Sequence, residues 1–407
     1  MKNKSKYLAL GLALTMTLSA CANPDNKKGN NEGTGNKTEV SSKNNGGKHD
    51  FSDKLKCEDG VVRWVRGHSG NLMMTMAEHN GYLDEYGLKV EQIPMQTVDE
   101  SFSAVEGNQV DIVSNAGTFL PLQRIAKGNN LQIFGGHMVE GAGFVVGRKD
   151  AEWKDVSSMV GKKVAGFPGN YVISGTLLEM GYNPKEDVEW VQTANAADAI
   201  ASLKSGQVDY ACVGTEAALQ VKTDPSLKEL AKQGDIMDKY SCCRMETAER
   251  FIKDKPNTTK ALLKALLRGM RDFEKDPNAA SQLLADELDV PLDFVEAYTL
   301  DSGYEINPDP LYNSCVRAWA YLDELGFLDE NAKNIDLRDH ITVDLYKEAL
   351  DEVIEEVGDE DPEYWEKQKK YFEENNSMYY NKDEEKEYFQ HMKDTIEENR
   401  AKNAQNK

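Results

Sequence analysis

The stretch SAVEGNQVDIVSNAG (103–117) returns in altered form as ASLKSGQVDYACVGT (201–215). In each copy a helical segment runs into a short turn, a Val-Asp pair leads into an apolar strand, and the strand opens into small polar residues. A unit that occurs twice predicts two similar sheets, one per lobe. The flanking sequence agrees. Between Val61 and Val221, runs such as VVRWV, LKVEQIP, DIVS, LQIFGG, VEWVQ and DYACVG alternate with helical stretches such as NLMMTMAEHNGYLDEYG, DESFSAVEGNQ and TFLPLQRIAKG. Such alternation builds mainly parallel sheets with helices on both faces. Ligands of these sheets sit beyond the carboxyl ends of the strands. Function is therefore expected in the loops that follow the strands.

After Asp254 the chain turns helical. NTTKALLKALLRGMRDFEKDP carries Leu262, Leu263, Leu266, Leu267, Met270 and Phe273 as a wide apolar stripe. Beyond Asp339 the helices become charged. TVDLYKEALDEVIEEV is amphipathic and is expected to pack on the body, whereas DEEKEYFQHMKDTIEENRAK is expected to be loosely attached. Residues 329–407 hold 24 Asp and Glu against 12 Lys and Arg, and the whole chain carries −22. That balance argues against nucleic acid as a partner, because phosphates need a basic surface. The acidic run itself reads as a solvated helical face.

The first residues address the compartment. Lys2, Lys4 and Lys6 precede the apolar run YLALGLALTMTL, and LSAC follows, ending at Cys21. This resembles a bacterial lipoprotein processing site, which implies a signal peptide over 1–21 and lipid on Cys21. Residues 22–57 are nearly free of apolar groups and read as a tether. The other cysteines are Cys57, Cys212, Cys242, Cys243 and Cys315. Their number is odd and their spacing matches no zinc or redox motif.

Four phrases together resemble a known family: HNGYLDEYGLKVE (79–91), GNQVDIVSNAG (107–117), ASLKSGQVDYACVG (201–214) and ERFIKDKPNTTKALLKALLRGM (249–270). They are similar to the solute-binding proteins of ABC importers, in the branch that binds nitrate, sulfonates, taurine and thiamine-pyrimidine precursors. The resemblance implies a two-lobed α/β fold of the type II periplasmic-binding-protein class. It implies lobe one over 58–143 and 242–330, lobe two over 148–238, and a helical extension over 331–407. The chain would cross between lobes near Phe144–Arg148 and Lys239–Arg244. It implies a small-molecule ligand, a membrane permease as partner, and no catalysis or cofactor.

The strand-end rule then selects candidate ligand residues. GHSGN (67–71) offers His68, Ser69 and Asn71; SNAGT (114–118) offers Ser114, Asn115 and Thr118. GFPGNYVISGT (166–176) offers Asn170 and Tyr171, and VGTEAAL (213–219) offers Thr215 and Glu216, the latter equally readable as a charged helix cap. None of these loops matches a Walker or Rossmann pattern. The return segment holds Cys242, Cys243 and Arg244. On a strand, neighbours point to opposite faces, so one cysteine is expected in the core and the other, Cys243, against ligand. Arg244 would pair with a ligand anion or with carboxylates of lobe one. Family members linked to thiamine-pyrimidine precursors often carry cysteines here, which implies a pyrimidine-type heterocycle. A sulfonate or nitrate oxyanion is the alternative. An enzyme is a further alternative, since a eukaryotic relative of the branch makes the thiamine pyrimidine, and His68 with the cysteines would then hold a metal. A docking role for the acidic tail is the third.

Overall fold

A computed structural model describes residues 49–405, apart from 52–55, 68, 96, 142, 301 and 302. The expected signal peptide, Cys21, most of the tether and the candidate His68 lie outside the described residues. Twelve strands are described: β1 (Val61–Arg66), β2 (Lys89–Pro94), β3 (Ile112–Gly117), β4 (Leu131–Gly136), β5 (Met138–Glu140), β6 (Phe144–Arg148), β7 (Lys163–Ala165), β8 (Glu189–Val191), β9 (Tyr210–Val213), β10 (Leu227–Lys232), β11 (Cys243–Ala248) and β12 (Glu305–Ile306). The helices that matter below are α1 (Leu72–His79), α2 (Val98–Glu106), α3 (Tyr171–Glu179), α4 (Ala196–Lys204), α5 (Pro256–Lys275), α6 (Tyr312–Glu324), α7 (Val343–Val357), α8 (Pro362–Asn375) and α9 (Lys382–Gln405).

The strands form two five-stranded sheets, one per lobe, with the order β2-β1-β3-β11-β4 in the first and β8-β7-β9-β6-β10 in the second. The two orders correspond position by position. In each, the first three strands pair in parallel and the fourth strand runs antiparallel to both its neighbours. That fourth strand is the crossing strand: β6 carries the chain into the second sheet and β11 brings it back to the first. The pair β5 and β12 forms a small separate ribbon.

The sequence echo has a physical basis. α2 and α4 begin at Thr97 and Asn195, whose side chains accept from the N–H groups of Glu100 (3.1 Å) and Asp198 (2.9 Å). The turns after these helices need a left-handed residue, supplied by Asn108 (φ 59°) and Gly206 (φ 76°). The repeated aspartates then tie each helix–strand hand-over to the neighbouring strand. Asp111 accepts from the Arg63 N–H at 2.8 Å in β1, and Asp209 accepts from the Lys163 N–H at 3.0 Å in β7. The Val-Asp pair is thus a register pin in both lobes.

The sequence and the structure differ in three places. The NLMMTMAEHNGYLDEYG stretch is not one helix: α1 ends at His79, and Gly81 turns the chain at φ 75° before a short Tyr82–Glu85 turn of helix. The acidic extension is not only a solvated face. α5 is buried on most sides, including Lys264, which is 0% exposed. Such a cation needs partners, and α7 supplies them: Lys264 Nζ meets Glu356 at 2.8 Å and Glu352 at 3.2 Å, and Lys260 meets Glu352 at 2.6 Å. Arg271 meets Glu360 at 2.7 Å. Nor is the last helix loose. α9 buries Met392 and Ile396, and Asn399 and Asn403 donate to the carbonyls of Glu179 (2.6 Å) and Met180 (2.9 Å) at the end of α3.

Asp309 is wholly buried between body and extension, accepting from the Leu311 N–H (2.7 Å) and from Asn376 Nδ2 (2.9 and 3.1 Å). Burial outweighs these bonds and pushes its pKa from 3.8 up to about 7. The folded chain therefore holds a proton that the unfolded chain has released. The stability this gives is complete below the unfolded value and is lost as pH rises through about 7. Asp309→Asn removes the dependence. From about pH 5 to about pH 8 the variant should gain roughly 1–3 kcal/mol on the wild type in urea unfolding; a pH-independent difference would show Asp309 ionised in the fold.

Candidate functional site

The carboxyl ends of the parallel strands of both sheets open onto one cavity of about 910 Å³. The crossing segments form its floor, through Met138, Gly141, Gly143, Gln233, Tyr240, Cys242 and Cys243. A ligand here touches both lobes and the connection between them at once.

Of the candidates from sequence, Ser69, Ser114, Asn115, Asn170, Thr215, Glu216 and Cys243 line this cavity. Asn115 is held in place by its Nδ2, which donates to Ser69 Oγ at 2.8 Å. Its Oδ1 is buried with no hydrogen-bond partner among the described residues. Gly67 makes this approach possible, since a Cβ there would lie 2.9–3.0 Å from the Asn115 side chain. Ser114 Oγ donates to the Val65 carbonyl at 2.6 Å and so joins β3 to β1. Asn170 caps α3 through the Ile173 N–H at 3.4 Å. Glu216 is exposed at the cavity wall.

Four candidates lie elsewhere. Asn71 is buried and spends its Oδ1 on the Met74 N–H as the cap of α1 (3.2 Å). Thr118 and Tyr171 both turn to the return segment and donate to the Ser241 carbonyl, Tyr171 at 2.9 Å. Arg244 is 0% exposed, and its guanidinium donates to the carbonyls of Asp309 (2.9 Å) and Met138 (2.7 Å). Two buried backbone carbonyls hold it, and it is not among the residues that line the cavity. The two cysteines also depart from expectation. β11 begins only at Cys243, so strand alternation does not separate the pair, and both line the cavity with their sulfurs 3.5 Å apart.

Sequence reasoning overlooked the loops after β2 and β8. Met95, Thr97 and Val98 line the cavity from the first lobe, and Gln192, Thr193 and Asn195 from the second. The signal was present, since both segments read as strands and the strand-end rule applies to them equally. Aromatic walls come from Phe167, Tyr240 and Phe294. Phe167 stands edge-on to Phe119 at 5.3 Å. The ionisable lining beyond the thiols and Tyr240 is Arg66 and Glu216, and Arg66 gives one donor to the Glu287 carbonyl at 3.3 Å. Among the described residues no group of three or more His, Cys, Asp and Glu is placed to hold a metal ion.

A family model described as NMT1/THI5 like matches residues 70–280, just over half of the chain. Several solved structures share the fold. The periplasmic aliphatic sulphonate binding protein SsuA from Escherichia coli is 15% identical, with a TM-score of 0.59 over 69% of this chain and 92% of its own. The periplasmic nitrate-binding protein NrtA from Synechocystis PCC 6803 is 17% identical, with a TM-score of 0.57 over 72% of this chain and 89% of its own. The desulfurization enzyme DSZB is 14% identical, with a TM-score of 0.53 over 72% and 99%. At these identities the likeness is one of fold. No curated protein matches the chain.

Arg244→Ala removes two charged-donor bonds from buried carbonyls. It should lower stability by roughly 2–4 kcal/mol in urea unfolding. A variant of unchanged stability that had lost ligand affinity would instead place the guanidinium in the cleft.

Proposed function

Because this chain belongs to the NMT1/THI5-like family, we propose that it is the extracytoplasmic solute-binding component of an ABC importer. The observation that carries the reading is the single cavity onto which the strand ends of both sheets open. Closure of two lobes about their crossing segments excludes water and encloses a small molecule for delivery. No bond need be made or broken.

The ligand is an uncharged planar heterocycle of the pyrimidine type. The argument starts from Asn115, which lines the cavity and whose Oδ1, though buried, has no hydrogen-bond partner among the described residues. An unused acceptor asks for an N–H donor on the ligand and penalises an anion. Arg244, within the return segment, gives its guanidinium to backbone carbonyls and does not line the cavity. Flat aromatic walls and polarizable sulfur suit a heterocyclic face, and the amides of Asn170, Gln192 and Gln233 suit ring nitrogens and exocyclic amines. One observation favours a sulfonate or nitrate instead: Arg66 reaches the cavity with donors to spare.

A thermal-shift panel of pyrimidines, sulfonates and nitrate separates the two. A ligand at a hundred times its Kd stabilises by about 2.7 kcal/mol. A pyrimidine should raise the melting temperature, its effect should survive Arg66→Ala and be lost with Asn115→Ala. Stabilisation by a sulfonate or nitrate alone, abolished by Arg66→Ala, would establish the oxyanion reading.

The same reading puts lipid on Cys21 and the protein on the outer face of the cell membrane. Cys21→Ser should release the protein from the membrane fraction. Retention of the variant after a carbonate wash would contradict the anchor.

A further inference from the structure

Cys242 and Cys243 are more than wall material. Among the described cysteines only these two bring their sulfurs into contact, at 3.5 Å, and both are part-exposed to the cavity. The backbone around them is pinned. Cys242 donates to the Val139 carbonyl (3.3 Å), its own carbonyl accepts from the Thr118 N–H (3.1 Å), and the Cys243 carbonyl accepts from the His137 N–H (3.1 Å). Gly141 leaves room for the first thiol, since a Cβ there would lie 2.4 Å from Cys242 Sγ. The sulfurs are thus held side by side by groups that do not belong to either side chain.

We propose that Cys242 and Cys243 form a vicinal dithiol site that exchanges with small disulfides in the cleft and closes reversibly to a disulfide. The two sulfurs take different parts. The bond from Cys243, with further bonds from Tyr240 and Gly141, pushes the Cys242 pKa down despite burial, while the Cys242 sulfur pushes Cys243 up. These bonds favour Cys242 as the attacking sulfur. It displaces one thiolate from a small disulfide RSSR, which takes up a proton and leaves as RSH, and a mixed disulfide forms on Cys242. Cys243 then gives its proton to solvent and attacks Cys242 Sγ, expelling the second thiolate, which is protonated in turn. Two protein thiols are oxidised, one external disulfide is reduced to two thiols, and no electrons are left over.

The closed form is reversible for a geometric reason. Consecutive Cα atoms are about 3.8 Å apart, short of the roughly 4.4–6.8 Å that disulfides usually span. A strained disulfide is more oxidising and more readily reduced than a structural one. Bond formation draws the sulfurs from 3.5 Å to about 2.05 Å and removes both thiols from the cleft surface. The remaining described cysteines offer no such reaction. Cys315 is wholly buried and directed at the Pro310 carbonyl (3.5 Å), Cys57 donates to the Tyr86 carbonyl (3.3 Å), and burial pushes the Cys212 pKa up to about 12. The proposal concerns the reactivity of the free protein and does not depend on the transport reading.

The test uses the reduced full chain, hydroxyethyl disulfide as oxidant, alkylation in denaturant after quenching, and mass spectrometry of the peptide that spans 242–243. The wild type should lose two hydrogens in that peptide and carry neither adduct nor alkyl group there, and dithiothreitol should restore two alkylatable thiols. Cys243→Ser should instead retain one hydroxyethyl mixed disulfide on Cys242, and Cys242→Ser should react at least tenfold more slowly. Two alkyl groups on the oxidised wild-type peptide, or a persistent mixed disulfide on it, would overturn the proposal. The wild-type measurement stands even where a variant fails to fold.

Discussion

The backbone carbonyl of Ser241 is wholly buried where the chain returns to the first sheet, and it accepts from both lobes. Thr118 reaches it from the loop after β3, and Tyr171 reaches it from the first turn of α3 in the second lobe at 2.9 Å. The Ser241 N–H is taken by Ser314 Oγ of α6 at 2.8 Å. Both backbone polar groups of Ser241 are thus satisfied at one point shared by three elements. Under the proposed closure, a rotation of the lobes about this point would keep these hydrogen bonds and so would not orphan a buried carbonyl. The cleft lies immediately in front of the pivot, with Cys242 and Cys243 the next residues along the chain.

The helices behind the pivot hold it fixed. α3 packs on α6 so closely that a Cβ at Gly175 would lie 2.6 Å from the Tyr321 ring, and the Tyr321 hydroxyl donates to Glu179 at 2.6 Å. α9 then takes the last carbonyls of α3. The appended region is thereby joined to both lobes at their back, and its glutamates neutralise the buried cations of α5. Those cations and carboxylates form one stabilising set. Removing either partner would leave a buried charge uncompensated.

How much of this the sequence carried depends on the physics of each feature. The recurrence of the Val-Asp pair was legible, but its role was not, because Asp111 and Asp209 bond to strands 48 and 46 residues away. The caps are local, yet Asp99 reads as well as Thr97, which is the residue that caps. β10 could not be read. LKELAK (227–232) is rich in helix formers, yet it pairs antiparallel with β6 at the sheet edge, a tertiary choice that propensity does not contain. Thr118, Tyr171 and Arg244 are polar residues near strand ends, as ligand residues would be. Whether such a side chain turns to the cleft or to a buried carbonyl is decided by elements distant in sequence. Asn115 and the paired sulfurs gain their meaning from distances that no spacing reveals.

The central claim is that two lobes close about the Ser241 pivot on a molecule held between them. Small-angle X-ray scattering of the full chain, with and without a pyrimidine shown to stabilise it, tests this most directly. The account predicts a smaller radius of gyration in the bound state, reversed when the ligand is dialysed away. An unchanged radius with the ligand demonstrably bound would contradict it.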